Sequence, residues 1–389
     1  MNHAELIVKK LQQVLGIKGN RVALHEPCFA GREWEYIKDC LDTGWVSSAG
    51  QYVERFEKSL VDFTGIKYAV AVVNGTAALH TALKLVGVEP GDEVLIPALT
   101  FVATANAVAY CGAVPHLVDS EPRTLGMNPY KLEDHLKDIA VVNQGVCFNR
   151  YTSRRIQAII PMHTFGHPVD LDPLLELCQK YHLEMVEDAA EAIGSYYKGK
   201  HTGGFGKAGI FSFNGNKIVT TGGGGAILTN DPELAKLAKH ITTTAKLPHP
   251  WAFYHDMTGY NYRLPNLNAA LGCAQLEQLP GFIEKKRKLA QRYQEAFADV
   301  QGVTVFKEAE FAKSNYWLNT LILDEQYAPE RDTILELSNA SGIMTRPAWT
   351  LMNKLPMYRN CPHMDLGEAE TLEKCIINVP SSVFWEDIQ

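Results

Sequence analysis

The stretch Glu184-Met-Val-Glu-Asp-Ala-Ala-Glu-Ala-Ile-Gly-Ser195 opens a segment that ends with Gly203-Gly-Phe-Gly-Lys-Ala-Gly-Ile-Phe-Ser-Phe-Asn-Gly-Asn-Lys-Ile-Val-Thr-Thr-Gly-Gly-Gly-Gly-Ala-Ile-Leu-Thr229. A short apolar run, Leu183 to Glu187, is closed by Asp188. A second, Ala208 to Phe213, carries Ser212 near its end, and Lys217 follows in a turn rich in Asn and Gly. The glycine loop after Thr221 then leads into a third run, Gly225 to Thr229. Short apolar runs bounded by glycine read as buried strands. An acid, a hydroxyl and an amine are thus each delivered at or just beyond a strand's carboxyl end. In an open α/β sheet that edge is where ligands bind.

The same three groups are what pyridoxal phosphate (PLP) needs: an amine to condense with its aldehyde, a carboxylate for its pyridine nitrogen, and donors for its phosphate. Singly, each has an ordinary explanation, since Asp at a strand end often caps a helix and Lys in a glycine turn is usually solvated. An upstream turn tips the balance. Tyr68 to Val73 reads as a strand buried on both faces, followed by Asn74-Gly75-Thr76-Ala77-Ala78-Leu79 at the start of a helix to about Leu85. Gly75 and Thr76 there offer free backbone N–H groups and the positive end of a helix to a phosphate. Thr76 alone would read equally well as a helix cap.

Together, Glu187-Asp188-Ala189-Ala190, Phe211-Ser212-Phe213, Lys217 and Thr220-Thr221-Gly222 resemble the core motif of the DegT/StrS-like, PLP-dependent nucleotide-sugar aminotransferases. The resemblance runs along nearly the whole chain. It implies the α/β fold of type I PLP-dependent aminotransferases, a mostly parallel seven-stranded sheet with a smaller C-terminal α+β domain. It also implies Lys217 and Asp188 as catalytic residues, with Gly75, Thr76 and Ser212 around the phosphate. Phe101 would stack on the pyridine ring, and Ala190 and Glu191 would lie beside it. Asn261 would reach the phosphate of a partner subunit, giving a homodimer with shared active sites.

On the substrate side the resemblance points to Ser48, in the loop Gly44 to Gly50, and to His163, in His163-Thr-Phe-Gly166. Arg263, Arg346 and Trp349 complete that set; an exposed Arg263 would read equally as a salt-bridge partner. Two positions depart from the pattern: many members have Gln or His where this chain has Glu191, and Glu where it has Gly223. Lys217 is retained, whereas the family's dehydratases replace it with histidine. The loops look most like those of a subgroup acting on UDP-4-keto-6-deoxy-N-acetylhexosamines. The implied reaction is amination, from an amino acid such as glutamate, at C4 of that sugar for bacterial surface glycans. Amination at C3, another nucleotide, or a non-catalytic PLP-fold sensor are the alternatives.

The remaining chain is consistent with this frame. Further strands are expected at Glu93 to Pro97, Val114 to Val118 and Gln157 to Met162, completing seven. At 389 residues two domains are expected, which we place at 1–258 and 259–389. A long helix from Pro265, broken near Pro280-Gly281, would link them, and Asp138 to Arg155 reads as an inserted surface loop. A helix from Ala4 to Leu15, punctuated by Gly16 and Gly19, would belong to the large domain. The net charge of −7 argues against nucleic acid or an anionic membrane as partner. Eight scattered cysteines without a Cys-x-x-Cys pair suggest reduced thiols, no metal centre and a cytoplasmic protein. The N-terminus does not read as a signal peptide, and no apolar run suffices to span a bilayer. His163 and His167 stand four apart, but Gly166 and Pro168 break the helix that a metal pair of that spacing needs.

Overall fold

A computed structural model describes residues 2–16 and 21–383, so Gly19 lies outside the described residues. Seven strands build the main sheet: β1 (Tyr68–Val72), β2 (Glu93–Pro97), β3 (Val114–Val118), β4 (Ile156–Ile159), β5 (Glu184–Asp188), β6 (Ala208–Ser212) and β7 (Gly225–Thr229). Their order is β1-β7-β6-β5-β4-β2-β3. Only β7 runs against its neighbours, pairing antiparallel with β1 and β6; the other pairs are parallel. Strands such as Val94-Leu95-Ile96 are wholly buried, because helices cover both faces of the sheet. In the first part of the chain, α1 (His3–Leu15) is followed by α2 (Glu33–Thr43), α3 (Gln51–Thr64), α4 (Gly75–Leu85) and α5 (Val102–Tyr110). α6 (Pro129–Ile139), α7 (Leu171–Tyr181) and α8 (Pro232–Thr242) follow.

Of these, α1 behaves differently from expectation. It is stabilised at its start by a capping box between Asn2 and Glu5, and its apolar face does not join the large core. Ile7, Leu11 and Leu15 pack instead with Leu289, Tyr293, Leu321 and Ile377 in a second core. The boundary at 259 therefore does not part the cores, since the chain's first helix belongs with its last third. Around that second core lies an antiparallel sheet of β8 (Val303–Val305), β9 (Asn319–Leu323), β10 (Arg346–Pro347) and β11 (Ile376–Val379), in the order β8-β9-β11-β10. Helices α10 (Arg331–Ala340) and α11 (Gly367–Cys375) accompany it.

The linking helix α9 runs unbroken from Asn266 to Ala296, with Pro280 inside it. The expected break is absent because both halves are anchored. Ala270, Cys273, Leu276 and Leu279 sit in the large core, Leu289 and Tyr293 in the second. Burial at both ends outweighs the roughly 3 kcal/mol that an interior proline costs.

The segment 140–149, expected as a loop, is a hairpin pairing Ala140–Asn143 with Val146–Asn149. It is pinned by buried Glu93, whose carboxylate accepts from Asn149 Nδ2 at 2.9 Å and Thr152 Oγ1 at 2.6 Å. None of the eight cysteines forms a disulfide. Among the described residues no helix is long and apolar enough to cross a membrane, and no cluster of His, Cys, Asp or Glu is arranged to hold a metal ion.

Candidate active site

A cavity of about 220 Å³ opens at the carboxyl ends of the main strands. β1 supplies the turn Asn74-Gly75-Thr76, β5 supplies Asp188, and β6 supplies Ser212, with Lys217 just beyond it. Asn74 caps α4 by accepting from Ala77 N at 2.7 Å. That leaves the earlier first-turn N–H groups, of Gly75 and Thr76, without intrahelical partners and near the positive end of the helix. Ser212 stands against this turn so closely that a Cβ on Gly75 would lie 2.9 Å from its Cβ. Gly225, paired with Ser212 across the sheet, would meet the Asn74 backbone at 2.5 Å if it carried a Cβ. Glycines let two strands and a helix start converge here on a space lined by donors.

The Asp188 carboxylate is held from two sides, by Thr104 Oγ1 at 2.8 Å and by Ala190 N at 3.2 Å. Thr104 is held in turn by Thr100, 2.9 Å away. Burial pushes the Asp188 carboxyl above its usual range, against the pull of Thr104, Ala190 N–H, Lys217 and His163. A cationic ring nitrogen is the partner that would keep such a carboxylate ionised.

Lys217 Nζ lies 3.1 Å from Glu191 Oε1 and 3.8 Å from the centre of the Trp317 ring. The other Glu191 oxygen accepts from Phe165 N at 2.9 Å. Burial, opposed by Lys217 and by that N–H, pushes the Glu191 carboxyl up to about 7. Phe101, half exposed, and Trp349 form an aromatic wall, their rings 6.2 Å apart. An amine, a buried carboxylate, a phosphate-type cradle and aromatic walls fit PLP.

The residue-type profile of the DegT/DnrJ/EryC1/StrS aminotransferase family matches residues 27–387. The chain belongs to this family. It is 38% identical over 362 residues to the GDP-perosamine synthase of Caulobacter vibrioides, covering 93% of each chain. With the spore coat polysaccharide biosynthesis protein SpsC of Bacillus subtilis it shares 34% over 311 residues, 78% of this chain and 76% of SpsC. The fold superposes with a TM-score of 0.85 on Helicobacter pylori PseC, an aminotransferase involved in the biosynthesis of pseudoaminic acid. That match is 26% identical and covers 95% of this chain and 97% of PseC. The protein is therefore a PLP-dependent aminotransferase, and the non-catalytic alternative falls away.

Within this DegT-family enzyme, Gly75, Thr76, Phe101, Asp188, Ala190, Glu191, Ser212, Lys217 and Trp349 all line the one cavity. Five expected residues do not. His163 is wholly buried; its Nδ1 accepts from Val169 N at 3.2 Å and its Nε2 faces Glu187 Oε2 at 3.1 Å. Glu187 also accepts from Gly203, Phe205 and Gly206 N–H groups, so this pair ties the glycine loop to β5 rather than meeting substrate. Arg346 is exposed on β10 and donates to Asn339 Oδ1 on α10 at 3.1 Å. Ser48 lies outside the cavity, beside Ser47, whose carbonyl accepts from Asn266 N at 2.7 Å.

Arg263 borders a separate cleft with Lys246 and His249, donating to Thr243 O at 3.1 Å. Asn261 is exposed, paired by its backbone with Thr243 away from its own chain's cavity. Conversely, Thr104, Asn214, Asn216 and Trp317 line the cavity unforeseen. Thr104 follows Phe101 on the first turn of α5, a spacing that puts both near one helix end. Trp317 comes from beyond α9, and no local pattern marks it.

Proposed function

We propose that this enzyme moves an amino group from an amino-acid donor, glutamate, to the C4 keto carbon of UDP-4-keto-6-deoxy-N-acetylhexosamine, making a 4-amino sugar for bacterial surface glycans. The observation that carries the chemistry is the convergence of Lys217, Asp188 and the Gly75-Thr76-Ser212 cradle on one cavity. Bound PLP supplies an aldehyde that carries the amino group in transit and a ring that accepts electrons. The first-turn N–H groups of α4 and the Thr76 and Ser212 hydroxyls would bind its phosphate, and Asp188 would face its ring nitrogen. Lys217, once free, removes the proton from the donor's α-carbon and later returns one to the sugar carbon that receives nitrogen. Phe101 and Trp349 screen the cavity from water on the sugar side.

A GDP-linked sugar is the second reading, favoured by relatives named GDP-perosamine synthase. In both readings the working unit is a homodimer in which Asn261 completes the partner's phosphate site. The test offers UDP- and GDP-linked 4-keto-6-deoxy sugars with glutamate and identifies products by mass spectrometry and NMR. A kcat/KM at least tenfold higher for the UDP N-acetyl sugar, with nitrogen on C4, is expected. Preference for the GDP sugar would establish the second reading, and amination at C3 would refute both. Lys217→Ala should abolish turnover; full activity in that variant would overturn the assignment of the amine.

A further inference from the structure

The Glu191–Lys217 pair contains more than cofactor binding requires. Two carboxylates and one amine, Asp188, Glu191 and Lys217, are the charged side chains lining the cavity among the described residues. Asp188 is engaged by Thr104 and Ala190. Glu191 is the one carboxylate within hydrogen-bond distance of the amine, 3.1 Å from Nζ. It is 3% exposed.

Its position is also enforced. Phe165 adopts a left-handed backbone, φ 56°, which non-glycine residues seldom take, and thereby points its N–H at Glu191 Oε2. Asn315 Nδ2 donates to the Glu191 carbonyl at 2.9 Å and fixes the backbone behind it. A strained buried turn that serves one carboxylate oxygen leaves the other oxygen free for the amine.

We infer that Glu191 is the proton acceptor for Lys217. It takes the ammonium proton before the amine condenses with the cofactor aldehyde and gives it back when the amine is released. The step balances: an N–H bond of the Lys217 ammonium breaks, an O–H bond forms on Glu191 Oε1, and a neutral pair replaces an ionic one. Only the neutral amine is a nucleophile, and the carboxylate 3.1 Å from it is a resident acceptor for its proton. The Glu191 carboxyl, pushed up by burial to about 7, is matched to a proton that must move both ways near neutral pH. The titratable groups around the pair come from several elements: Asp188 at the end of β5, and on the N-terminal segment the His25 ring, which burial and then the Lys286 and Lys217 charges hold well below the usual histidine range. The uncharged Trp317 ring closes the other side of the amine.

This inference rests on the PLP assignment above, and the experiment separates the two. Apoprotein is mixed with PLP in a stopped-flow instrument, and covalent capture by Lys217 is followed by absorbance from pH 6 to 9. Non-covalent affinity is measured in parallel with pyridoxamine phosphate, which has no aldehyde. Glu191→Gln keeps the shape and hydrogen bonding but cannot carry the proton. We expect it to bind pyridoxamine phosphate within about threefold of wild type but to capture PLP at pH 7 at least tenfold more slowly. The deficit should close as pH rises. Glu191→His, which can carry a proton, should recover capture above the histidine range. Wild-type capture rates in Glu191→Gln across the pH range would overturn the inference. Should Glu191→Gln not fold, Glu191→His decides, because an unchanged pH profile there overturns it as well. Wild-type apoprotein that captures no PLP would instead refute the cofactor assignment.

Discussion

Asp188 and His167 show what burial does to an ionisable group in this protein. Asp188 meets the cavity with a carboxylate that burial makes hard to keep charged. Asp188→Asn keeps a side chain of the same shape facing Thr104 but removes the charge. PLP binding should survive, because phosphate contacts carry it, while turnover falls on the order of 10² to 10³. Titration with PLP beside kcat measurement checks this; normal turnover per folded molecule would reduce Asp188 to a structural role. His167 is the opposite case. Both ring nitrogens are buried without partners, between Phe306 and Tyr316 rings 4.7 and 5.1 Å away. Burial, then Arg287, drives it down to about 3. The folded state therefore refuses a proton that the unfolded chain accepts below about 6.5. Its contribution is intact at neutral pH and is lost as pH falls from 6.5 toward 3. At pH 5 the loss is about 2 kcal/mol. His167→Phe should remove that slope, read as denaturant stability at pH 7 and pH 5; an equal pH slope in both proteins would refute the account.

At the scale of elements, the seven main strands are legible in the sequence because parallel strands buried on both faces are uninterrupted apolar runs, such as Val94-Leu95-Ile96. The site residues that follow directly from strand ends, Asp188, Ser212, Lys217 and the Gly75-Thr76 turn, are legible for the same reason. The hairpin at 140–149 is not, since Val141 and Val142 are half exposed and its hold on the fold is the polar set around Glu93. Trp317 and the core that receives α1 depend on long-range packing that no local pattern encodes. His163 misleads because a polar residue at a strand end can satisfy a buried glutamate as readily as a substrate. The Pro280 misreading has the same origin: local chemistry favours a break, and packing at both helix ends overrides it. Pro280 is exposed, so Pro280→Ala should restore a backbone N–H at little steric cost. We expect stability to rise by about 1 to 3 kcal/mol, measured by denaturant unfolding. A loss would show that α9 needs a local deformation there.

The whole molecule leaves one surface that a single chain does not explain. On the segment leading to Asn261, Trp251 is 80% and Phe253 81% exposed. Large aromatics in that number on one segment favour cover by another protein surface. Asn261 does not line its own chain's cavity, whereas Gly75, Thr76 and Ser212 do. In a two-fold pair, a residue excluded from its own site can serve the neighbour's, because the same patch is presented by both chains. The homodimer proposed above thus makes a specific demand on activity. Lys217→Ala removes the amine from a site, and Asn261→Ala removes a phosphate contact from the facing one. When the two inactive proteins are mixed and allowed to exchange subunits, each mixed dimer carries one site with both defects and one with neither. Activity should return toward about a quarter of wild type, since statistical exchange puts about half the dimers in the mixed form with one good site each. Proven exchange between two inactive parents without recovery would place Asn261 at its own chain's site.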